Sequence, residues 1–160
     1  MTLLQRLDAA FPDHGMPRPD TLVVLDGFDQ PAKESAVQIF GGKTRDEVRA
    51  LVGKGPSGFE GLWGIEDIEV LEAAGLHYYV EPFLSFLITE EFEDPEEFAF
   101  FLMYHVSEVV RRRGPDIFTA PQRKFLTEIA WQLADRIIGS DDWRTAQRGH
   151  CMSLIDRLGR

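Results

Sequence analysis

The stretch from Tyr78 to Tyr104 constrains the fold more than any other part of the chain, because aromatic residues flank a dense group of acids in it. The aromatic residues are Tyr78, Tyr79, Phe83, Phe86, Phe92, Phe98, Phe100, Phe101 and Tyr104. The acids form what we call the acidic knot: Glu90, Glu91, Glu93, Asp94, Glu96 and Glu97. Unpaired carboxylates in such number cannot be buried, so they must face solvent while the aromatic residues build the core. The stretch predicts a helical core with a negative cap, and we expect Phe101 to be central to it.

Length and composition indicate one domain spanning residues 1–160. A chain of 160 residues can bury a sizeable core of its own. Hydrophobic residues make up 44% of it and charged residues 28%, which is typical of a globular protein and not of a disordered one. No internal repeat, low-complexity tract or change in composition marks a second domain.

The formal net charge of -10 narrows the classes of partner. Such a negative field repels nucleic acid phosphates and anionic membrane surfaces, whereas it attracts basic proteins. Solubility alone is the simpler explanation of this charge. We therefore expect no nucleic acid or membrane partner, and we regard a basic protein as the partner that the charge favours.

The lack of a recognisable targeting signal and the cysteine usage favour a cytoplasmic setting. The N-terminus lacks the cationic start and apolar run of a signal peptide, and the apolar stretch 84–88 is far too short to span a membrane. Cys151 is the single cysteine, so no internal disulfide forms. The neighbouring His150 faces elsewhere on a helix and cannot activate this thiol, so we expect a buried structural thiol.

The pattern of caps and apolar residues predicts an all-α bundle of about six or seven helices, with a short extended segment near residues 21–25. Helix starts are indicated at Thr2, Asp29, Thr44, Asp94-Pro95 and Asp141 or Asp142. The clearest amphipathic pattern covers residues 121–138. We expect a helix from Ile65 that ends at Gly75, a new helix beginning at Glu81-Pro82, and a flexible glycine-rich loop over residues 53–64.

No motif predicts a catalytic or cofactor site. Gly41-Gly42-Lys43-Thr44 looks like the end of a phosphate-binding loop, but Val37 stands where that loop needs its first glycine. The histidines have no zinc-like spacing, and no serine lies in a nucleophile elbow. We expect neither a cofactor nor a metal, although a metal site assembled from distant residues is not visible in a sequence.

The acidic knot has two interpretations. Its residues at a helix start favour the positive end of the helix dipole, which is a structural role. They lack the alternating ligands and central glycine of a calcium loop. The functional interpretation is a negative rim that meets a basic surface, with Glu90, Glu91, Glu93, Asp94, Glu96 and Glu97 as the partner-binding residues.

Two short motifs resemble those of a known family. Phe40-Gly41-Gly42-Lys43 followed by a short helix, and Tyr78-Tyr79-x-x-Pro82, resemble a family of small uncharacterised bacterial helical proteins, a domain of unknown function. The resemblance covers about residues 28–138, and it departs at Val80-Glu81, where the family tends to have leucine before proline. It implies a helical fold in a bacterial cytoplasm, and it transfers no catalytic residue.

Three functions fit these features. The first is a non-enzymatic, acidic interaction protein, in its most concrete form an immunity or inhibitor protein that binds a basic toxin. The second is a small enzyme with dispersed residues, in which the loop 53–64 acts as a lid and the titrating groups are Glu66, Asp67, His77 or His105. The third is a structural or homo-oligomeric protein that uses the aromatic stretch as an interface.

Overall fold

Seven helices build the fold in the part of the chain that the structure describes. The computed structural model describes residues 1–24, 26–53, 64–91 and 97–159, except for the side chains of residues 90 and 91. The helices are α1 (Leu3–Ala10), α2 (Gln30–Phe40), α3 (Arg45–Leu51), α4 (Ala73–Phe86), α5 (Glu97–Arg113), α6 (Ala120–Arg136) and α7 (Asp142–Leu158). The all-α bundle predicted from the sequence is thus confirmed. None of these helices has the combined length and apolar character that a membrane span requires.

Short polar side chains set the helix starts, as the sequence predicts. Thr2, Asp29, Thr44 and Asp141 each accept a hydrogen bond from a main-chain N–H three residues further along. This satisfies an amide that has no partner within its own helix. The predicted capping box between Thr44 and Glu47 is present, since the Glu47 carboxylate also accepts from the Thr44 amide at 2.8 Å.

The predicted helix start at Glu81-Pro82 is wrong, because α4 continues through Pro82 to Phe86. Proline has no N–H, so the carbonyl oxygen of Tyr78, four residues earlier, loses its helical donor. Arg45 Nε, on α3, donates to that oxygen at 2.8 Å. A side chain 33 residues away in sequence thus satisfies the acceptor that Pro82 leaves, and the helix persists.

The predicted helix from Ile65 to Gly75 is also wrong. A 3₁₀ turn covers only Glu66–Val70, and Gly75 lies inside α4. A Cβ at Gly75 would come within 2.9 Å of Leu22 Cδ1, so this glycine permits close packing and does not end a helix.

Of the segment 21–25 that was predicted to be extended, Thr21 belongs instead to a 3₁₀ turn, Pro19–Thr21, whereas Val23 has a pairing partner that the sequence did not indicate. Val23 forms an isolated antiparallel bridge with Leu71. The Val24 amide donates to the Val70 carbonyl oxygen at 2.9 Å, and the Glu72 amide donates to the Leu22 carbonyl oxygen at 2.8 Å. The segment thereby satisfies its own polar groups beside the start of α4.

All seven helices contribute buried residues to one apolar core, and α4 contributes an unbroken buried run from Tyr78 to Leu84. Its side chains Tyr79, Phe83 and Leu84 are completely buried. Phe101 of α5 is only half-buried at the flank of this core, so the expectation that it is central is wrong.

Candidate functional site

Part of the acidic knot belongs to the described residues. Glu97 begins α5, and its side chain is exposed, as the sequence predicts. The backbone of Glu90 and Glu91 lies in a π-helical turn, Leu87–Glu91, that directly follows α4. Glu93, Asp94 and Glu96 lie outside the described residues, as do the helix start predicted at Asp94-Pro95 and most of the glycine-rich loop.

Next to Glu97, α5 and α7 lie side by side and share a continuous row of rings. Phe100 contacts Trp143 with ring centroids 4.8 Å apart, and it contacts His150 at 4.6 Å. Tyr104 also contacts His150, with ring centroids 5.0 Å apart. We call these four residues, Trp143, Phe100, His150 and Tyr104, the aromatic seam.

The two outer rings of the aromatic seam remain open to solvent. Trp143 is 50% exposed and Tyr104 is 38% exposed, whereas Phe100 and His150 are half-buried between them. Burial lowers the pKa of His150, and the nearby Arg157 lowers it further. His150 is therefore neutral at pH 7, so the seam carries no positive charge of its own.

Acidic side chains lie at one end of the aromatic seam. Since Phe100 meets Trp143 and Tyr104 meets His150, α5 and α7 run in the same direction. Their N-termini, with Glu97 on one helix and Asp141 and Asp142 on the other, therefore lie at the same end.

Arginines lie at the opposite end of the seam. Arg157 Nη1 donates to Ser107 Oγ at 2.6 Å and lies 3.7 Å from Glu108 Oε1. Arg111 donates to the same carboxylate at 2.7 Å, and this hydrogen bond lowers the pKa of Glu108. The seam therefore has an acidic end and an end where positive and negative charges are paired.

A second polar cluster lies in the interior, between α3 and α4. The Glu81 carboxylate is 1% exposed, and Arg49 Nη2 donates to its Oε1 at 2.7 Å. Arg45 Nε lies 3.8 Å from Oε2, to which no described group donates a hydrogen bond. Arg45 itself is 6% exposed, and burial lowers its pKa. Paired charges at this depth fix how α3 docks on α4, and a structural role explains them.

The residues that carry the family resemblance contact one another at this docking surface. The Tyr79 hydroxyl lies 2.8 Å from the Phe40 carbonyl oxygen and 2.6 Å from that of Lys43, and the Tyr79 and Phe40 rings stack. The Tyr78 hydroxyl accepts from the Arg45 amide at 3.1 Å. Burial raises the pKa of Tyr79 to about 12, so its hydroxyl remains a donor. Both motifs therefore serve the packing of α2, α3 and α4.

A cleft of about 360 Å³ opens beside the buried cluster. Its described lining includes Arg49, Pro82, Ser85 and Thr89. Arg49 is the charged member of that described lining, and it is already bonded to Glu81 and, at 2.6 Å, to Asp46. Within the described lining, the guanidinium group of the cleft is thus already paired with carboxylates.

Of the titrating groups proposed for a small enzyme, Asp67 and His77 have different hydrogen-bond partners. Asp67 Oδ1 accepts from Ser35 Oγ at 2.8 Å, and burial raises the pKa of this carboxyl. His77 Nε2 contacts the Ile117 carbonyl oxygen at 2.6 Å. The remaining candidate acid, Glu66, is exposed. Glu66 and His105 lie near enough to Asp67 for their charges to act on its pKa, whereas His77 contacts a different segment of the chain.

His105 has an acidic partner that sequence reasoning missed. Its Nδ1 contacts Glu69 Oε2, and Arg112 Nε lies 3.7 Å from the other oxygen of that carboxylate. The two residues are 36 positions apart, so no local spacing could have indicated the pair. The contact ties α5 to the 3₁₀ turn at Glu66–Val70.

Two further features of the described residues are the single thiol and the arrangement of the side chains that could bind a metal. Cys151 is 3% exposed, and burial raises its pKa to about 11, so the predicted buried thiol is confirmed. Over residues 1–24, 26–53, 64–91 and 97–159, no three His, Cys, Asp or Glu side chains converge in the manner of a metal site.

Positive and negative groups are distributed unequally between interior and surface. Several guanidinium groups donate to main-chain carbonyl oxygens: those of Arg45, Arg113, Arg123, Arg148 and Arg157. By contrast, exposed carboxylates include Asp8, Asp20, Asp26, Glu34, Glu66, Glu72, Glu97, Asp116 and Asp142. A partner that approaches the described surface therefore meets carboxylates more readily than guanidinium groups.

In comparisons with known proteins, no family model, no curated protein and no solved structure matches the chain. The resemblance carried by the Phe-x-Gly-Lys and Tyr-Tyr-x-x-Pro motifs therefore stays a prediction.

Proposed function

We propose that this chain is a non-enzymatic, acidic interaction protein that binds a basic protein partner in the bacterial cytoplasm. Its most concrete form is an immunity or inhibitor protein for a basic toxin such as a nuclease. The observation that carries the proposal is the charge distribution: several arginines donate to main-chain carbonyl oxygens, and exposed carboxylates outnumber exposed guanidinium groups among the described residues of a chain of net charge -10.

Electrostatics supports this function through the rate of encounter. Opposite fields on two proteins speed their association and suppress wrong partners of like charge. Glu97 is exposed at the start of α5, directly after the other acids of the knot in sequence. The knot supplies the densest negative charge of the chain, so we assign the partner contact to it.

The proposal is tested by comparing two variants of equal charge. In the first, Glu90, Glu91, Glu93, Glu96 and Glu97 are replaced by glutamine. In the second, five exposed acids elsewhere are replaced by their amides: Asp8, Asp20, Asp26, Glu34 and Asp116. Both variants lose five negative charges from the same formal net charge of -10. Any difference between them reports on position and not on net charge.

Binding is measured by calorimetry with a lysine- and arginine-rich peptide, and with an acidic peptide of equal length, at low and at high salt. We expect the knot variant to lose affinity for the basic peptide and to show a weaker salt dependence than the wild type. The control variant should retain most of the affinity for the basic peptide and most of its salt dependence. Equal losses of affinity in the two variants would mean that only net charge matters. That result would contradict the assignment of the partner contact to the acidic knot.

One observation favours a second function, a small enzyme. His105 is hydrogen-bonded to Glu69, and a histidine oriented by a carboxylate is a common general base. The structural role of this pair, which ties α5 to the Glu66–Val70 turn, explains the contact without catalysis. An activity that disappears in His105→Gln while the fold is retained would favour the enzyme.

A third function, homo-oligomeric assembly, would use the exposed aromatic residues. Sedimentation velocity of the wild type and of Trp143→Ala separates this function from the first. An oligomer that dissociates on substitution of Trp143 would favour assembly over a basic partner.

A further inference from the structure

The aromatic seam is an exposed ring surface that packing alone does not account for. Trp143 is 50% exposed and Tyr104 is 38% exposed. Phe100 and His150 connect them into one row of rings. Single exposed aromatic residues are ordinary on a protein surface, whereas rings in contact across two helices form a patch.

We propose that the aromatic seam binds arginine side chains of the basic partner, with the guanidinium planes lying against Tyr104 and Trp143. This inference rests on the proposed function and names the surface and the chemical group that the partner supplies. A guanidinium stacks on an aromatic face and is attracted by its ring quadrupole. Such contacts add specificity for arginine that carboxylates alone do not provide.

Charge complementarity identifies this occupant. Glu97, Asp141 and Asp142 lie at the end of the seam that Trp143 occupies. The nearest cation in sequence, Arg144, is bound to the Asp141 carboxylate at 2.5 Å. Because the Asp141–Arg144 pair balances its own charges, the net negative charge at this end of the seam comes from Glu97 and Asp142, which are exposed.

The chain already uses the same contact in its own structure. The Arg45 guanidinium lies 4.9 Å from the centroid of the Tyr78 ring, and the Arg112 guanidinium lies 5.0 Å from that of Phe28. A second copy of this chain is disfavoured as the occupant, because two molecules of formal charge -10 repel each other.

The experiment measures the binding of two fluorescently labelled peptides of equal length and charge, one of alternating arginine and glycine and one of alternating lysine and glycine. Fluorescence anisotropy at low salt compares the wild type with Trp143→Ala, Tyr104→Ala and the double variant. Trp131→Ala is the matched control, because Trp131 is 46% exposed but lies on α6, outside the seam. Circular dichroism verifies that each variant is folded.

We expect each seam substitution to weaken binding of the arginine peptide by about three-fold, and the double variant to weaken it by about ten-fold. The seam substitutions should weaken binding of the lysine peptide less, and Trp131→Ala should not change the affinity for either peptide. Tyr104→Phe and Trp143→Phe keep an aromatic face and should retain most of the affinity. If the alanine variants are unstable, quenching of Trp143 fluorescence by the arginine peptide in a Trp63→Phe, Trp131→Phe background provides the same test.

Failure of this inference is distinguishable from failure of the proposed function. Salt-sensitive binding that is identical in the wild type and the seam variants overturns the role of the seam and leaves the acidic function standing. Absence of binding of either basic peptide to the wild type overturns both. An oligomer that dissociates in Trp143→Ala would assign the seam to a second copy of the chain and overturn the arginine proposal.

Discussion

Arg45 donates to the carbonyl oxygen of Tyr78 at 2.8 Å, and this hydrogen bond replaces the one that Pro82 cannot make within α4. The same guanidinium donates to the carbonyl oxygens of Phe11 at 2.8 Å and His77 at 3.1 Å. One buried side chain therefore connects α3, the end of α1 and a proline-containing stretch of α4. Removal of Arg45 should affect all three elements.

Replacing Arg45 with methionine should destabilise the protein by about 3–5 kcal/mol, because it leaves the buried carbonyl oxygens and the Glu81 carboxylate short of donors. The free energy of unfolding is measured by urea denaturation followed by circular dichroism. Arg18→Met is the control, since the Arg18 side chain is 77% exposed and its ion pair with Asp20 should contribute less than about 1 kcal/mol.

A double-mutant cycle with Pro82→Ala tests whether Arg45 replaces the helical hydrogen bond that Pro82 removes. Alanine at position 82 restores an N–H that can donate to the Tyr78 carbonyl oxygen, so Arg45→Met should cost less in that background by about 1 kcal/mol. Additive effects of the two substitutions would contradict the idea that Arg45 replaces the missing helical bond.

Replacing Tyr79 with phenylalanine should cost about 1–2 kcal/mol, because the buried carbonyl oxygens of Phe40 and Lys43 lose the hydroxyl that contacts both. The ring stacking on Phe40 is retained, so the loss reports on the hydrogen bond. Tyr104→Phe serves as the control, since Tyr104 is 38% exposed and should show no change in thermal or urea unfolding. Equal effects at the two tyrosines would argue against this role for the Tyr79 hydroxyl.

Local signals explain which parts of the fold could be predicted. The caps at Thr2, Asp29 and Thr44 act over three residues, and each was readable from the sequence. Pro82 misled the prediction because its compensation comes from Arg45, a contact between residues distant in sequence. The bridge between Val23 and Leu71 was unpredictable for the same reason.

The candidate site also has a part that could be predicted from the sequence and a part that could not. The exposure of Glu97 followed from the cost of burying an unpaired carboxylate, which a sequence reveals. The aromatic seam depends on α5 packing in parallel with α7, which places Phe100 beside Trp143. No periodicity within either helix encodes that pairing, so the seam becomes visible only in the folded chain.

Two phenylalanines of the aromatic stretch should differ sharply in their contribution to stability. Phe83→Ala should cost about 3–5 kcal/mol, because Phe83 is completely buried and packs edge-on against Phe40. Phe101→Ala should cost less than about 2 kcal/mol, because Phe101 is half-buried at the flank of the core. Urea unfolding of both variants makes the comparison, and equal losses would contradict the difference in burial between Phe83 and Phe101.

Replacing Asp67 with asparagine should change how stability depends on pH. Burial raises the pKa of Asp67 above its ordinary value of 3.8, although the hydrogen bond from Ser35 opposes this. A carboxyl whose pKa is raised by folding binds its proton more tightly in the native state. Its contribution is therefore fully favourable below pH 3.8 and is lost as the pH rises through the higher native pKa.

Asparagine keeps an oxygen that can accept from Ser35 and does not ionise. The stability of Asp67→Asn relative to the wild type should therefore rise with pH between 3.8 and neutrality, as followed by urea unfolding at several pH values. Glu66→Gln is the matched control, because Glu66 is the exposed neighbour in the same 3₁₀ turn and should show no such trend. A difference between Asp67→Asn and the wild type that stays constant or falls with pH would mean that burial does not disfavour the ionised form of Asp67.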